Sequence, residues 1–307
     1  MRWTAVVNPT AGRGRTRSLL PDLRTALEAR GADVYVSTDA RDGQRAAREA
    51  FAAGRGVIAC GGDGTVGELA EVAAVAEAPL AIVPSGAGND FARHLGIDIR
   101  HPLDAVKLLD TGQPGIVDLG AIHLDDGSTH MFTSVAYSGF DAETNRWANG
   151  VRWATGTSLY VAATLRTLAR YRPQPMRVRV DDQTWKGDAW LVAVGNSRFY
   201  GGGMMITPGA EVDDGLLDVC VLGATSVLEF LGCFARVFAG RHVAQPSVVT
   251  FRGAHIEIDS DGATLPMEIW ASGERVGPLP ARIDVQPAAL SVVVPTDAPV
   301  RGAPTGP

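Results

Sequence analysis

The chain has 307 residues, 46% of them hydrophobic and 20% charged, with a formal net charge of −6. That length allows two domains with ample core, and the composition is that of an ordinary soluble globular protein. An acidic balance argues against a nucleic-acid-tracking surface, and with Lys107 and Lys186 as the only lysines, neither in a glycine loop, a Walker-type phosphate loop is excluded.

In chain order, Met1 to Val7 lacks the apolar core of a signal peptide, and Ala5-Val6-Val7 reads as a first strand. Helical patterns over Leu19–Ala29, Gly43–Ala53, Val66–Ala76 and Phe91–Leu95 alternate with strands over Asp33–Ser37, Gly56–Cys60 and Leu80–Val83. This alternation predicts an α/β N-terminal domain over residues 1–119: a parallel sheet with helices on both faces. Ligands bind such sheets beyond the carboxyl ends of the strands.

After Asp118 the pattern becomes strand-rich. Turn signals at Asp125-Asp126-Gly127-Ser128 and Asp181-Asp182-Gln183 separate alternating segments, including Arg177–Val180, Ala189–Val194, His255–Asp259, Pro266–Trp270 and Ala289–Val294. Residues 120–288 are therefore expected to form a β-sandwich-like domain, interrupted by helices over Leu159–Tyr171 and Val227–Ala239. The strand within residues 289–295 is free to return to the first domain, and residues 296–307 read as a disordered tail. No run reaches the ~18–20 apolar residues of a membrane span. Cys60, Cys220 and Cys233 read as reduced, buried thiols of a cytoplasmic protein.

Two glycine-rich loops carry acids: Gly61-Gly62-Asp63-Gly64-Thr65 and Pro84-Ser85-Gly86-Ala87-Gly88-Asn89-Asp90, each between an apolar run and a helical pattern. Free main-chain N–H groups at a helix start form an anion cradle, and a carboxylate inside it needs a divalent cation to tolerate phosphate. Asp63 and Asp90 thus point to a metal–nucleotide pair, with Thr65 as a hydroxyl donor; the plainer reading of Asp63 is a helix cap. Asn8 to Arg15 follows the first strand, with Arg13 and Arg15 available for phosphate charge. Asp118 is a third acid near the domain junction, either part of a metal–water network or the holder of a turn. Asp214, with the carbonyls of Glu211 and Leu216, offers oxygen ligands to a hard cation or else an Asp-Gly turn. Glu274 is a general-base candidate or an exposed turn carboxylate. The Leu159–Tyr171 helix, with Trp147, Trp153 and several arginines nearby, suits a membrane interface or a cover on the sheet. The six histidines are scattered, and no Gly-x-Ser-x-Gly, His-Glu-x-x-His or Cys-x-x-Cys occurs.

Asn8-Pro9-Thr10-Ala11-Gly12, the Gly61 to Glu68 loop, Pro84 to Arg93, the Gly201-Gly202-Gly203 stretch with Asp213-Asp214-Gly215, and Ser272-Gly273-Glu274 resemble the successive motifs of the soluble bacterial diacylglycerol kinase catalytic-domain family, the YegS-like lipid kinases. The resemblance implies transfer of phosphate from ATP, with Mg²⁺, to a lipid hydroxyl, first of all that of diacylglycerol to give phosphatidic acid. It implies ATP contacts at Asn8, Pro9, Thr10, Ala11, Gly12, Thr38, Gly62, Asp63, Gly64, Thr65, Val66, Gly67, Glu68 and the second-loop position Ala87. It also implies metal-linked acids at Asp63, Asp90 and Asp118, a structural Mg²⁺ on Asp214, Glu211 and Leu216, and Glu274 as proton acceptor. Three positions depart from the family pattern: Gly67 replaces an Asn, Ala87 a Thr, and Ser272 an Asp. The expected setting is cytoplasmic with peripheral membrane contact and no nucleic-acid partner, and a homodimer is one possible assembly. The competing readings are an NAD kinase-like phosphotransferase and a nucleotide- or lipid-binding relative with impaired catalysis.

Overall fold

The computed structural model describes residues 1–150, 166–168, 170–260 and 262–300. Most of the helix expected over Leu159–Tyr171, with Trp153, and the end of the tail lie outside the described residues. Strands β1 (Trp3–Val7), β2 (Asp33–Val36), β3 (Gly56–Gly61) and β4 (Leu80–Pro84) pair in parallel in the order β2-β1-β3-β4. Every residue of β3 and β4 is buried, as the continuous apolar runs of central parallel strands require. Helices α1 (Arg15–Glu28), α2 (Ala40–Ala52) and α3 (Asp63–Val75) alternate with these strands. Helix α1 starts at Arg15, earlier than its apolar periodicity indicates, because its first turn is largely exposed and follows the positive-φ residues Gly12, Arg13 and Gly14. The strands run the same way, so the loops after β1, β2, β3 and β4 gather at one edge.

After the short helices α4 (Asp90–His94), α5 (Pro102–Ala105) and α6 (Leu108–Thr111), the chain enters β5 (Gln113–Leu124), which runs unbroken through Leu119. The antiparallel strands that follow are β6 (Thr129–Phe132), β7 (Val135–Gly139), β8 (Gln174–Val180), β9 (Gln183–Gly195), β10 (Leu217–Gly223), β11 (Val248–Gly253), β12 (His255–Asp259), β13 (Glu268–Ala271) and β14 (Glu274–Pro278). Apart from β6, which pairs with β5, they form the order β14-β13-β7-β9-β8-β12, with β10 pairing with β9 and β11 with β10. The last strand, β15 (Ala281–Val294), joins both halves: it pairs along its length with β5, at its start with β12, and in parallel with β4 through Val292 and Leu80. A register shift between Gln286 and Leu290 puts Ala288 at φ +51°. The two-residue Asp181-Asp182 turn joins β8 to β9, as its sequence signals.

Helices α7 (Phe140–Gly150) and α8 (Val227–Val237) pack with this sheet, and α8 opens with a reciprocal Ser226–Glu229 capping box. Phe140, Tyr171, Trp190 and Phe230 form an aromatic cluster at the base of both helices. Among the described residues no helix is long and apolar enough to cross a membrane.

Candidate active site

The two acid-bearing glycine loops touch backbone to backbone. A Cβ on Gly86 would lie 2.3 Å from Gly62 Cα, so only glycine permits this approach. Asp63 begins α3, yet its carboxylate turns away from its own helix: Oδ2 accepts the Asn89 N–H at 2.7 Å and Oδ1 the Asp90 N–H at 2.6 Å. It therefore caps α4 and ties the second loop to the first. Helix α3 itself has Gly62 at its N-cap and no side-chain cap, and apart from the helix's own backbone no atom lies within 4 Å of a Cβ placed on Gly64. In the second loop Asn89, at φ +56°, closes on Gly86 through its side chain, accepting from the Gly86 N–H at 2.9 Å and donating to the Gly86 carbonyl at 3.0 Å.

Asp90 is 3% exposed. Its Oδ2 accepts the Gly202 N–H at 2.7 Å, which brings the glycine triplet over the loops, while its buried Oδ1 has no hydrogen-bond partner and lies 3.7 Å from the Arg93 guanidinium. Burial first, and then the charge of Asp63, push the Asp90 carboxyl up to about 6; the Gly202 bond and Arg93 act the other way. The Asp63 carboxyl is also raised by burial, against the pull of the N–H bonds it accepts.

The loop after β1 completes the edge. Asn8 donates to Thr65 Oγ1 at 2.9 Å and its Oδ1 accepts from Thr10, so Pro9, Ala11 and Gly12 follow a turn fastened to α3. Gly12, at φ +59°, lies against the second loop, where a Cβ would come within 2.4 Å of the Ser85 carbonyl. Thr38, beyond β2, is exposed and binds Asp42 through its N–H and hydroxyl. In α3, Val66 is buried, and Gly67 faces Ser272: a Cβ at 67 would sit 3.2 Å from Ser272 Oγ. Two of the three positions that depart from the family pattern are thus neighbours in space. At the next residue, burial and then the nearby Glu274, Asp39 and Glu71 charges push the Glu68 carboxyl up to about 7.

A cleft of about 380 Å³ opens where these loops meet the antiparallel half. Arg13, Asp63, Ala87, Gly88 and Asp90 line one side; Tyr137, Asp141, Tyr200, Gly202, Ser272 and Gly273 are on the other. Glu274 follows the turn that lines the cleft and is itself exposed. Asp118 is elsewhere: its Oδ2 accepts the Gly215 N–H and its Oδ1 the Ala288 N–H, each at 2.7 Å, so it pins the β15 irregularity to the loop before β10. In that loop Glu211 is exposed, and Asp214 accepts the Leu216 N–H at 3.0 Å and forms an ion pair with Arg252. Burial, then Glu211, push the neighbouring Asp218 carboxyl up to about 6.

Asp141 is the cleft acid that the sequence reading passes over. It is 5% exposed, accepts the Tyr200 hydroxyl at 2.5 Å, and is held well above the ordinary carboxyl range by burial. Its signal was present: Gly139-Phe140-Asp141 repeats the strand, glycine, acid, helix order of the two recognised loops, and Gly139 sits at φ +106° with the Trp190 carbonyl against the space of a Cβ.

Residues 2–122 match the diacylglycerol kinase catalytic domain, and residues 134–294 match the YegS C-terminal NAD kinase beta sandwich-like domain. The chain is 37% identical over 296 residues to a diacylglycerol kinase of Mycobacterium tuberculosis, covering 95% of this chain and 94% of that protein. It is 33% identical over 295 residues to a "Probable lipid kinase YegS-like" protein of Pseudomonas fluorescens, covering 93% and 95%. In fold it resembles a solved Bacillus anthracis chain with a TM-score of 0.74 at 24% identity, covering 96% of this chain and 97% of that one. A solved diacylglycerol kinase from the same organism gives a TM-score of 0.69 at 21% identity.

Proposed function

The chain belongs to the diacylglycerol kinase catalytic-domain family of lipid kinases, and from that premise we propose that it transfers the γ-phosphate of Mg-ATP to a hydroxyl of diacylglycerol, giving phosphatidic acid. The observation that carries this reading is the turn of Asp63 toward α4, which leaves the start of α3 uncapped. A helix of this length with free first-turn N–H groups is an anion site, and Gly64 leaves room for phosphate to approach the backbone.

The fit to Mg²⁺ rests on Asp90. Its Oδ1 is buried without a hydrogen-bond partner, beside a second carboxylate and with the Arg93 guanidinium no nearer than 3.7 Å, an arrangement that closer contact with a cation would relieve. Mg²⁺ is commonly held by one or two carboxylates together with substrate phosphates, so Asp90, supported by Asp63, would hold it. When bound, the ion neutralises phosphate charge and orients the transferred group. A second cation on Asp214 and the Glu211 and Leu216 carbonyls stays within the proposal as a structural site, with Arg252 as the cation it must displace. Asp118 is assigned to holding the loop that carries those ligands.

The chain's own residues would do the rest. The α3 N–H groups bind the phosphates, Arg13 adds positive charge at the cleft wall, and the Gly201–Gly203 stretch, held by Asp90, covers the loops. Glu274, next in sequence to the Ser272-Gly273 turn that lines the cleft, would accept the proton of the acceptor hydroxyl. A lipid acceptor requires peripheral contact with a membrane or micelle. The test is a γ-labelled ATP assay against diacylglycerol and other lipid alcohols in mixed micelles, with NAD and lipid-free controls. Label in phosphatidic acid that depends on Mg²⁺ is the expected result; label in NAD alone, or in nothing, overturns the reading.

A further inference from the structure

Resting on the lipid-kinase reading, we propose that the outer face of helix α8 is the surface by which the protein docks on a phospholipid bilayer, the phase that holds its acceptor. Among the described residues seven large hydrophobic side chains are exposed, and four of them, Val227, Leu228, Leu231 and Phe238, fall on this one helix and the residue that ends it. At ~3.6 residues per turn these four share one side of the helix. The buried Phe230, Cys233 and Val237 take a second side, and the charged Glu229 and Arg236 the third. A helix that faces water carries polar side chains there, whereas here Leu228 is 80% exposed and Phe238 55%.

The charges beside the stripe suit a lipid surface. Glu229 turns back on the start of its own helix, where its carboxylate accepts the Ser226 N–H at 3.0 Å. Arg236 and Arg241 are exposed at the other end, placing positive charge where headgroup phosphates would meet the rim of the apolar stripe. A second copy of the chain fits this face less well. One side of an 11-residue helix, ~16 Å long and ~10 Å across, offers ~160 Å², against the ~800 Å² per partner of a stable interface. An enzyme that returns to the bilayer for each acceptor needs only contact of this modest size. Helix α8 is also joined to the cleft: the Val237 carbonyl accepts the Met205 N–H at 3.0 Å, and three residues earlier Gly202, which lines the cleft, gives its N–H to Asp90. The apolar stripe thus lies one short hydrogen-bonded segment from the phosphate site.

The test measures co-sedimentation of the intact protein with phosphatidylcholine–phosphatidylglycerol vesicles, without nucleotide or diacylglycerol. Wild-type protein should bind, and the double variant Leu228→Asp, Leu231→Asp should bind at least tenfold more weakly. Its turnover of diacylglycerol in those vesicles should fall by a similar factor, with the KM for ATP and the turnover of dispersed short-chain diacylglycerol within twofold of wild type. No vesicle binding by the wild type, or equal binding by the folded double variant, would overturn the proposal. A dimer in vesicle-free solution that the variant splits, with vesicle binding unchanged, would give the face to a second copy instead. If the double variant does not fold, Leu228→Cys decides: the three native cysteines are buried, so an environment-sensitive dye labels position 228 alone. Its emission should shift to the blue on adding vesicles and be quenched by nitroxide lipids, and an unmoved spectrum would overturn the proposal. Vesicle binding does not depend on phosphate transfer. Docking through Leu228 and Leu231 without turnover of any lipid would refute the kinase reading and uphold the surface, whereas turnover that is indifferent to both leucines would refute the surface alone.

Discussion

Asp63 Oδ1 accepts the main-chain N–H of Asp90 at 2.6 Å, although Asp63 stands at the start of one helix and Asp90 at the start of the next. The bond couples the two acids mechanically and electrostatically, since the Asp63 charge is one reason that the Asp90 carboxyl rises. Replacing Asp63 by Ala should remove the acceptor for both the Asn89 and Asp90 N–H groups and destabilise the protein by about 2–3 kcal/mol. Asp63→Asn keeps one acceptor oxygen and should fold while losing at least a hundredfold in turnover. Urea denaturation and the labelled-ATP assay check the two expectations, and an Asp63→Ala protein as stable as wild type would contradict the capping role.

The Asp90 carboxyl, raised to about 6 from an ordinary 3.8, gives two pH dependences of opposite sense. For cation and nucleotide binding the ionised form is needed, so Mg-ATP affinity should fall as the pH drops through about 6. For the metal-free fold, the native state retains a proton that the unfolded chain releases near 3.8. The stability from this group is therefore full below about 4 and lost as the pH rises through about 6. Asp90→Asn removes the buried charge, and at pH 7.5 it should stabilise the metal-free protein by about 1–3 kcal/mol while abolishing turnover. A thermal melt that shows no gain would mean that the carboxylate is not held at a cost.

Gly64 and Gly86 separate ligand space from folding space. Gly86→Ala must push its new methyl into the Gly62 backbone and should cost about 1–3 kcal/mol, with loss of ATP binding from the displaced loops. Gly64→Ala meets no atom within 4 Å on a helix and should gain about 0.5–1 kcal/mol in the empty protein. Its methyl would nevertheless enter the phosphate cradle, and ATP affinity should fall at least tenfold. Unchanged ATP affinity in Gly64→Ala would move the phosphates away from α3.

Ser272 and Gly273 form a two-residue turn with φ of +52° and +83°, linking Ala271 to Glu274 across the β13–β14 hairpin. Such turns favour Asn-Gly and Asp-Gly, because Asn and Asp tolerate the left-handed region better than Ser. Ser272→Asp should stabilise the hairpin by about 0.5–1 kcal/mol and leave turnover within a few-fold of wild type. A large rise in kcat with no change in Tm would assign this position to chemistry rather than to turn geometry.

The sequence made the parallel half and its loops legible because strands buried on both faces leave continuous apolar runs, and glycines next to acids stand out between them. What it did not carry was direction. Nothing in Gly61 to Thr65 says that the Asp63 side chain turns toward Asn89 and Asp90, because that contact crosses from one β–α unit to the next. Asp118 reads equally well as a metal ligand or a turn holder, and in the structure both its oxygens accept main-chain N–H groups from segments about 100 and 170 residues away. Asp141 is hard to single out for another reason: it follows a strand of the antiparallel half, where hairpin signals dominate the sequence pattern and mask its strand, glycine, acid, helix order.

The central claim is that Asp63 and Asp90 hold a magnesium-bound triphosphate between the two loops. Calorimetric titration of ATP into the wild-type and Asp90→Asn proteins, each with Mg²⁺ and with EDTA, tests it most directly. Wild-type affinity should drop at least tenfold on removing Mg²⁺, and Asp90→Asn should bind ATP weakly and equally under both conditions. Equal wild-type affinity with and without Mg²⁺, or a magnesium dependence that survives in Asp90→Asn, would contradict it.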